Sequence, residues 1–183
     1  MSGASATGRT SNAIYAASVE RVAIVGSGGA GKTTFAAELG RRTGLPVTHL
    51  DHHFWKPDWT EMPRAEWRAL QFEMVAEPRW ILDGNYGGTM DIRLPVADTL
   101  FIFGVHRVRC LASVLRRTIT NYGRSVQAEG CPERFDAAFL KYIWTYPHEA
   151  RVRLDKHVMR HGRHLEITEF TTRKQAWDYL DTL

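Results

Sequence analysis

Short apolar runs alternate along the chain with longer stretches in which apolar residues recur at helical spacing. The runs predict strands, and they are residues 21–25, 47–50, 80–82, 99–103 and 164–167. The run at 99–103 is almost entirely apolar, as expected of a parallel strand that is covered on both faces. The alternation therefore predicts an α/β fold with a mostly parallel five-stranded sheet and helices on both faces.

Apolar residues three or four positions apart mark the buried side of the predicted helices. The stripes are Trp67, Leu70, Met74 and Val75; Val108, Leu111, Ala112, Leu115 and Ile119; Phe135, Ala138, Phe139, Tyr142 and Ile143; and Ala176, Trp177 and Leu180. Gly44 and Pro46 end the first helix near residue 43, and Thr172 opens the last helix through a capping box with Gln175. Residues 52–59 contain proline and aspartate, and we expect a loop there.

Residues 1–20 lack this periodicity and are rich in serine, alanine, glycine and threonine. We expect them to form a mobile tail before a single domain at 21–183. The chain of 183 residues carries a net charge of +4, which suits a phosphate-bearing ligand. No run is apolar enough to span a membrane, and neither a signal peptide nor a zinc-like cysteine spacing is present. These features predict a cytoplasmic protein without a membrane partner.

The stretch from Gly26 to Thr33 matches the phosphate-loop pattern G-x-x-x-x-G-K-[ST] at every fixed position. A predicted strand precedes it and a predicted helix follows, so backbone N–H groups would point at an anion. A glycine-rich turn with a chance lysine is the alternative, and the flanking strand and helix disfavour it. The pattern predicts a three-layer P-loop NTPase fold that binds ATP and Mg²⁺, with Lys32 on the phosphates and Thr33 on the metal. The expected nucleotide-binding residues are Gly26, Ser27, Gly28, Gly29, Ala30, Gly31, Lys32, Thr33 and Thr34.

Two aspartates, Asp51 and Asp83, each directly follow a predicted strand. Because parallel strands end at the same edge of a sheet, both carboxylates should lie near the phosphate loop. Mg²⁺ keeps several waters and takes few protein ligands, so one carboxylate beside Thr33 suffices. We expect Asp83 to take this role, with Asp51 as the second choice. For each of them, an aspartate that merely caps a turn is the alternative.

Phosphoryl transfer also needs cations that neutralise the charge on the moving phosphate, and arginines bind phosphate with two parallel hydrogen bonds. Besides Lys32, the candidate catalytic cations are Arg93, after the Asp83 loop, and Arg116 and Arg117, at the end of a predicted helix. The segment that follows this helix is expected to form a short lid, at about 117–132, that closes over the phosphates. A solvated basic helix surface is the alternative for the arginines.

The segment after Asp51 is rich in aromatic residues and histidine. Phe54, Trp55 and Trp59 lie where an acceptor would bind and are placed to stack on a planar base, but core packing explains them equally well. His52 and His53 have no third ligand at metal-binding spacing, and we interpret them as polar loop residues.

With these motifs placed, residues 21–34 and 45–51 resemble the P-loop kinases of the adenylate-kinase-like group. Residues 80–94 and 130–135 resemble, more specifically, proteins labelled DNA topology modulation protein, a subgroup related to adenylate kinase. The resemblance covers about residues 20–170.

The resemblance implies roles for several residues that match the group's pattern. Asp83 and Gly84 match the Asp-Gly pair after the third strand of adenylate kinases, and Arg93 matches a phosphate-binding arginine. Arg116 and Arg117 are placed like the arginines that lead into the lid. The region 52–78 departs from the usual monophosphate-binding segment, and the lid has no cysteine quartet for zinc.

Three functional hypotheses follow. The leading one is an ATP-dependent phosphotransferase that moves the γ-phosphate to a small acceptor, first of all a nucleoside monophosphate. The second is a small-molecule hydroxyl kinase with Asp51 as general base, since a hydroxyl must lose a proton and a monophosphate need not. The third is a nucleotide-gated, DNA-associated regulator with slow ATP hydrolysis, which the basic charge supports and the lack of a DNA-reading motif disfavours.

Overall fold

The computed structural model describes residues 19–183; residues 1–18, which hold most of the predicted tail, lie outside that part. The strands are β1 (Arg21–Gly26), β2 (Val47–His49), β3 (Trp55–Lys56), β4 (Thr60–Glu61), β5 (Trp80–Asp83), β6 (Thr99–Phe103) and β7 (Glu166–Phe170). Five of them pair in parallel in the order β2-β5-β1-β6-β7, and β3 and β4 form a separate antiparallel hairpin. The predicted five-stranded parallel sheet is confirmed, although its last strand begins at Glu166 and not at residue 164.

Helices connect the strands and cover both faces of the sheet. They are α1 (Lys32–Thr43), α2 (Asp51–Phe54), α3 (Arg64–Ala76), α4 (Met90–Arg93), α5 (Arg107–Thr120), α6 (Ala137–Thr145), α7 (Ala150–His161) and α8 (Arg173–Leu180). None of the helices within residues 19–183 is long and apolar enough to cross a lipid bilayer.

The central strand β1 divides the core into two halves. Val22 and Ile24 belong to a cluster with residues of α1, α5, α6 and α8, whereas Ala23 and Val25 pack with α3, α4 and α7. Successive side chains of a strand point to opposite faces, so an uninterrupted apolar strand needs helices on both sides. All four side chains are fully buried.

The ends of two helices follow the capping signals in the sequence. Helix α1 ends at Thr43, and Gly44, with φ 70°, donates its N–H to the carbonyl oxygen of Gly40. Helix α8 begins after Thr172, whose side chain accepts from the N–H of Gln175 in a complete capping box. Both predicted boundaries are confirmed. They could be predicted because a local contact determines each of them.

The predicted buried side of α5 is wrong except at Leu111, which packs against the core. Cys110, Val114 and Thr118 face the core, while Val108 and Ile119 are 54% and 66% exposed. The phosphate loop sets this orientation because it lies against the helix: a Cβ atom built on Gly29 would be 2.5 Å from the carbonyl oxygen of Cys110. Tertiary contact with the loop thus overrides the apolar periodicity of the helix.

Three other predicted core residues, Phe135, Ala138 and Trp177, are also exposed. Phe135 precedes α6 and is 60% exposed, and Trp177 on α8 is 43% exposed and lines the cavity described below. The predicted stripes that contain these residues also include Ile143, Ala176 and Leu180, which are buried.

The loop predicted at 52–59 is replaced by α2 and the β3–β4 hairpin. Asp58 and Trp59 in the hairpin turn have φ of 60° and 59°, which is unusual for residues other than glycine. The turn is stabilised from outside: the Asp58 N–H donates to the Gly130 carbonyl at 2.9 Å, and Trp59 Nε1 donates to the Pro132 carbonyl at 2.9 Å. These partners lie more than seventy positions away, which is why the local sequence does not predict the turn.

Candidate active site

A cavity of about 1200 Å³ lies at the edge of the sheet where β1, β2 and β5 end. Its walls come from the phosphate loop, the residues after β2 and β5, the β3–β4 hairpin, the segment between α5 and α6, and α6 itself. A pocket outside the carboxyl ends of parallel strands is the usual ligand site of this architecture.

The phosphate loop joins β1 directly to α1, so that Lys32 and Thr33 occupy the first two positions of the helix. Lys32 Nζ donates to the carbonyl oxygen of Ser27 at 3.0 Å. Gly26 has φ 148°, and a Cβ atom there would lie 2.6 Å from Phe103. Among the predicted nucleotide-binding residues, Gly28, Gly29, Gly31, Lys32, Thr33 and Thr34 line the cavity, while Gly26, Ser27 and Ala30 are buried behind it.

Asp83 connects the end of β5 to the start of α1. It is 5% exposed, and its Oδ2 accepts a hydrogen bond from Thr33 Oγ1 at 2.9 Å. His49 Nδ1 lies 3.0 Å from the same oxygen, while Asp83 Oδ1 is buried without a partner in residues 19–183. The strand register places His49 beside Asp83, so the pairing of β2 with β5 produces this contact.

The Asp83 site fits Mg²⁺. A buried carboxylate oxygen without a hydrogen-bond partner beside a threonine hydroxyl is a ligand set that Mg²⁺ accepts, with waters and phosphate oxygens in its other positions. The described part of the chain contains no cluster of three or more histidine, cysteine, aspartate or glutamate side chains suited to a metal. Thr33 and Asp83 are therefore the residues that would hold the ion.

Asp51, at the start of α2, lines the same cavity. The hydroxyl of Tyr86 donates to Asp51 Oδ1 at 2.5 Å. Burial, and next the negative charge of Asp51, raise the pKa of Tyr86 well above its usual range. Tyr86 therefore stays protonated and orients the Asp51 carboxylate by donating to one of its oxygens.

Asn85, which the sequence analysis did not single out, ties the loop after β5 to the phosphate loop. Its Oδ1 accepts from the Gly26 N–H at 2.8 Å, and its Nδ2 donates to the Gly26 carbonyl at 2.6 Å and to the Tyr142 hydroxyl at 2.8 Å. This paired contact fixes the start of the phosphate loop relative to Asp83. Its sequence signals are its position two residues after Asp83 and its place within residues 80–94, which carry the more specific resemblance.

The prediction that Arg93 contacts phosphate is wrong. Its side chain is fully buried, and the guanidinium donates to the carbonyl oxygens of Gly84, Asn85 and Tyr86 at 2.8, 2.5 and 3.2 Å. Burial lowers the pKa of Arg93 to about 10, which leaves the group charged at neutral pH. The arginine stabilises the loop that carries Asn85 and Tyr86, because both of its Nη atoms donate to backbone carbonyls of that loop.

The two other candidate arginines have different positions. Arg116 is exposed on α5 and does not line the cavity, so its assignment as a catalytic cation is not supported by its position. Arg117 lines the cavity, and its Nε lies 2.9 Å from Oε1 of Glu133, a residue that is 3% exposed. Of the pair, only Arg117 is placed to reach a ligand.

The predicted lid corresponds to an irregular segment between α5 and α6. Residues 117–120 still belong to α5, and the segment continues past residue 132 to Asp136. Tyr122 and Glu133 form an isolated bridge, so the two ends of the segment lie side by side. Contacts of Gly130 and Pro132 with the β3–β4 hairpin attach the segment to the wall of the cavity that also contains Trp55.

No protein-family model and no curated protein matches the sequence. Solved structures do match. A shikimate kinase from Bacteroides thetaiotaomicron has a TM-score of 0.52 at 17% identity, with 90% of this chain and 95% of that chain covered. A deoxyadenosine kinase from M. mycoides with bound dATP has a TM-score of 0.55 at 11% identity, with 88% and 95% covered. A shikimate kinase from Aquifex aeolicus has a TM-score of 0.51 at 15% identity, with 88% and 92% covered.

At these identities the likeness shows a shared fold. The chain has the P-loop kinase fold, and the predicted fold class is confirmed. The resemblance to P-loop kinases is thus supported at the level of the fold. The finer resemblance to the DNA topology modulation subgroup stays a prediction.

Proposed function

We propose that this chain is an ATP-dependent kinase that transfers the γ-phosphate to a hydroxyl group of a small acceptor, with Asp51 as general base. The observation that carries the proposal is that Asp51 lines the same cavity as Lys32, Thr33 and Asp83, and is oriented by the uncharged hydroxyl of Tyr86. A carboxylate held in this way is available to take a proton from an acceptor hydroxyl.

Each part of the reaction has a residue that would carry it. The acceptor oxygen attacks the γ-phosphorus, the bond from that phosphorus to the β,γ-bridging oxygen breaks, and ADP leaves with this oxygen. Asp51 takes the proton that the hydroxyl loses. Lys32 and Arg117 line the cavity and supply positive charge for the transferring phosphate.

Thr33 and Asp83 would hold Mg²⁺, which when bound neutralises part of the charge on the β- and γ-phosphates. The buried position of Asp83 means that its carboxylate is fixed before the nucleotide arrives. Its hydrogen bond with Thr33 keeps both ligand oxygens together at the first turn of α1. Such preorganisation lowers the cost of assembling the site.

The structural neighbours support the phosphotransferase class. Two of the solved proteins are a shikimate kinase and a deoxyadenosine kinase, and shikimate and deoxyadenosine are both small molecules with hydroxyl groups. The shared fold and the phosphate loop are consistent with ATP as the donor, and the acceptor is proposed from the position of Asp51 alone.

A nucleoside monophosphate remains the second candidate acceptor. Arg134 and Arg153 both line the cavity, and two arginines are suited to hold an acceptor phosphate. Against this candidate, Arg93 is occupied by backbone carbonyls and Arg116 lies outside the cavity. The DNA-associated alternative gains no support from the described residues or from the comparisons.

A panel of acceptors separates these functions. Small polyols, hydroxy acids, nucleosides and nucleoside monophosphates are each incubated with ATP and Mg²⁺, and ADP release is measured, with Lys32→Ala as the background. We expect at least one hydroxyl acceptor to raise ADP release, and Asp51→Asn to lower turnover by about 10²–10⁴-fold. The matched control is Asp58→Asn, an exposed aspartate on the hairpin that does not line the cavity.

Two results would count against the proposal. If monophosphates alone are accepted and Asp51→Asn retains its turnover, the second candidate replaces the first. If no acceptor raises ADP release above the Lys32→Ala level, the chain is not a kinase of these classes.

A further inference from the structure

Arg173 is an exposed arginine at the first position of α8, and its side chain reaches back across the phosphate loop. Nη2 donates to the carbonyl oxygen of Gly29 and to Oγ of Ser113, both at 2.5 Å. Nε donates to the carbonyl oxygen of Ala30 at 3.3 Å. One guanidinium group therefore joins the phosphate loop, α5 and α8.

The backbone that carries Arg173 is itself fixed. Oε1 of Gln175 accepts from the N–H groups of Thr171 and Thr172 at 2.8 and 3.1 Å, which completes the capping box before α8. Because the backbone is already ordered, the three contacts cost only the rotamer entropy of the Arg173 side chain itself. The contact with the phosphate loop is therefore made from a rigid support.

The contacted carbonyl groups determine the direction of the neighbouring amides. In a trans peptide the C=O and N–H groups point in opposite directions, so holding the Ala30 carbonyl on one side turns the Gly31 N–H to the other. Gly31 is the N-cap of α1 and makes no side-chain capping contact. Gly31 lines the cavity. Backbone N–H groups at the start of a helix are suited to bind phosphate.

The charge of Arg173 also contributes. Its hydrogen bonds go to two carbonyl oxygens and one hydroxyl, all uncharged. Arg173 and Lys32 both line the cavity, so the positive charge of the guanidinium adds to that of the lysine at the phosphate loop. An anionic polyphosphate is attracted by both groups.

We propose that Arg173 is a positioning residue of the donor site, which holds the phosphate loop in the conformation that binds the β- and γ-phosphates of ATP. The inference rests on the proposed function, because it takes the loop to be an ATP site. Arg173 acts through Gly29 and Ala30, and Ser113 links the same guanidinium to the helix that carries Arg117.

The test compares ATP, ADP and AMP binding, measured by calorimetry in the presence of Mg²⁺ and without any acceptor. Arg173→Met removes all three donations, and we expect about 10-fold weaker binding of ATP and ADP, the equivalent of one charged hydrogen bond. AMP, which has no β-phosphate, should be affected less than about 2-fold. A merely structural role would weaken all three nucleotides alike, so the ratio of ATP to AMP affinity is the decisive readout.

Three further variants sharpen the result. Arg173→Lys keeps the charge without the forked contacts and should bind ATP with intermediate affinity. Ser113→Ala removes only the α5 contact and should weaken ATP binding by about 2- to 3-fold. Lys174→Met is the matched control, since Lys174 is the neighbouring cation and pairs with Asp178 at 2.7 Å.

Thermal unfolding checks that each variant is folded, and if Arg173→Met is not, the Arg173→Lys and Ser113→Ala affinities decide. The proposal is overturned if the folded Arg173 variants bind ATP like the wild type, if ATP and AMP weaken equally, or if Lys174→Met has the same effect. If the wild type binds no ATP, both this inference and the proposed function fail. If ATP binds and depends on Arg173 but no acceptor is phosphorylated, only the proposed function fails.

Discussion

Replacing Arg93 with methionine tests whether this buried arginine supports the loop after β5 or acts on phosphate. The change keeps much of the side-chain volume but removes the donors to the carbonyl oxygens of Gly84, Asn85 and Tyr86. The bond to Gly84 is buried and the other two are partly buried. Counting about 2 kcal/mol for the buried carbonyl and about 1 kcal/mol for each of the others gives a loss of about 4 kcal/mol.

This loss is a large part of the free energy of unfolding of an ordinary domain, which is about 5–15 kcal/mol. We therefore expect Arg93→Met to be folded but to unfold at a much lower urea concentration than the wild type, with Arg93→Lys between them. Arg68→Met is the matched control because Arg68 pairs with Asp91 and donates to the Gly88 carbonyl in partly exposed contacts, whose loss should lower the urea midpoint far less. Urea unfolding followed by circular dichroism measures all three.

A different result would show that Arg93 acts on phosphate. If Arg93→Met unfolds at the urea midpoint of the wild type and yet loses more than about 100-fold in kcat, Arg93 acts on the transferring phosphate. The assignment of its donors to the three carbonyls would then be wrong.

Three further predictions concern the site. Asp83→Asn should raise the Mg²⁺ concentration needed for half-maximal turnover by about 10-fold or more, because an amide is a poorer ligand for this ion than a carboxylate. An unchanged Mg²⁺ titration would show that Asp83 does not hold the metal. Gly29→Ala should lower the free energy of unfolding by about 2 kcal/mol or more and weaken ATP binding. The reason is that Gly29 has φ 74° and that a Cβ atom there would lie 2.5 Å from the carbonyl oxygen of Cys110. A melting temperature equal to that of the wild type would contradict this prediction. The raised pKa of Tyr86 means that stability is fully present below the ordinary tyrosine pKa of about 10 and falls as pH rises above it, since the unfolded chain loses that proton first. Tyr86→Phe should make this alkaline decline in the urea midpoint shallower, and an unchanged slope would argue against it.

The sheet and the phosphate loop could be predicted from the sequence because local signals determine them. Each apolar run that formed a strand is continuous in sequence, and the loop pattern from Gly26 to Thr33 specifies its own geometry together with the strand and helix beside it. Asp83 was placed correctly beside Thr33 because the end of a parallel strand determines the position of the residue.

The errors have a different physical origin. The apolar periodicity of α5 is real, but contact with the phosphate loop selects the side that contains Cys110 and Val114, and periodicity carries no information about such a contact. Arg93 follows the Asp83 loop as expected, yet its side chain turns to carbonyl groups of its own loop. Neither a helical wheel nor a motif distinguishes these alternatives.

The residues that sequence analysis missed are connected over long distances in the chain. Asn85 contacts Gly26 across 59 positions, and Arg173 contacts Gly29 across 144. Asparagine after a strand and arginine at the start of a helix are common, so neither position attracts attention before the fold brings the partners together.

The central claim is that this cavity moves the γ-phosphate of ATP to a hydroxyl group, and phosphorus NMR of the complete reaction tests it most directly. The best acceptor from the panel is incubated with ATP and Mg²⁺, and Lys32→Ala and Asp51→Asn are run in parallel. We expect a phosphate monoester signal that grows in step with ADP in the wild type and is nearly absent from both variants. Release of inorganic phosphate instead of a monoester, or a new phosphoanhydride that Asp51→Asn forms at the wild-type rate, would contradict the account.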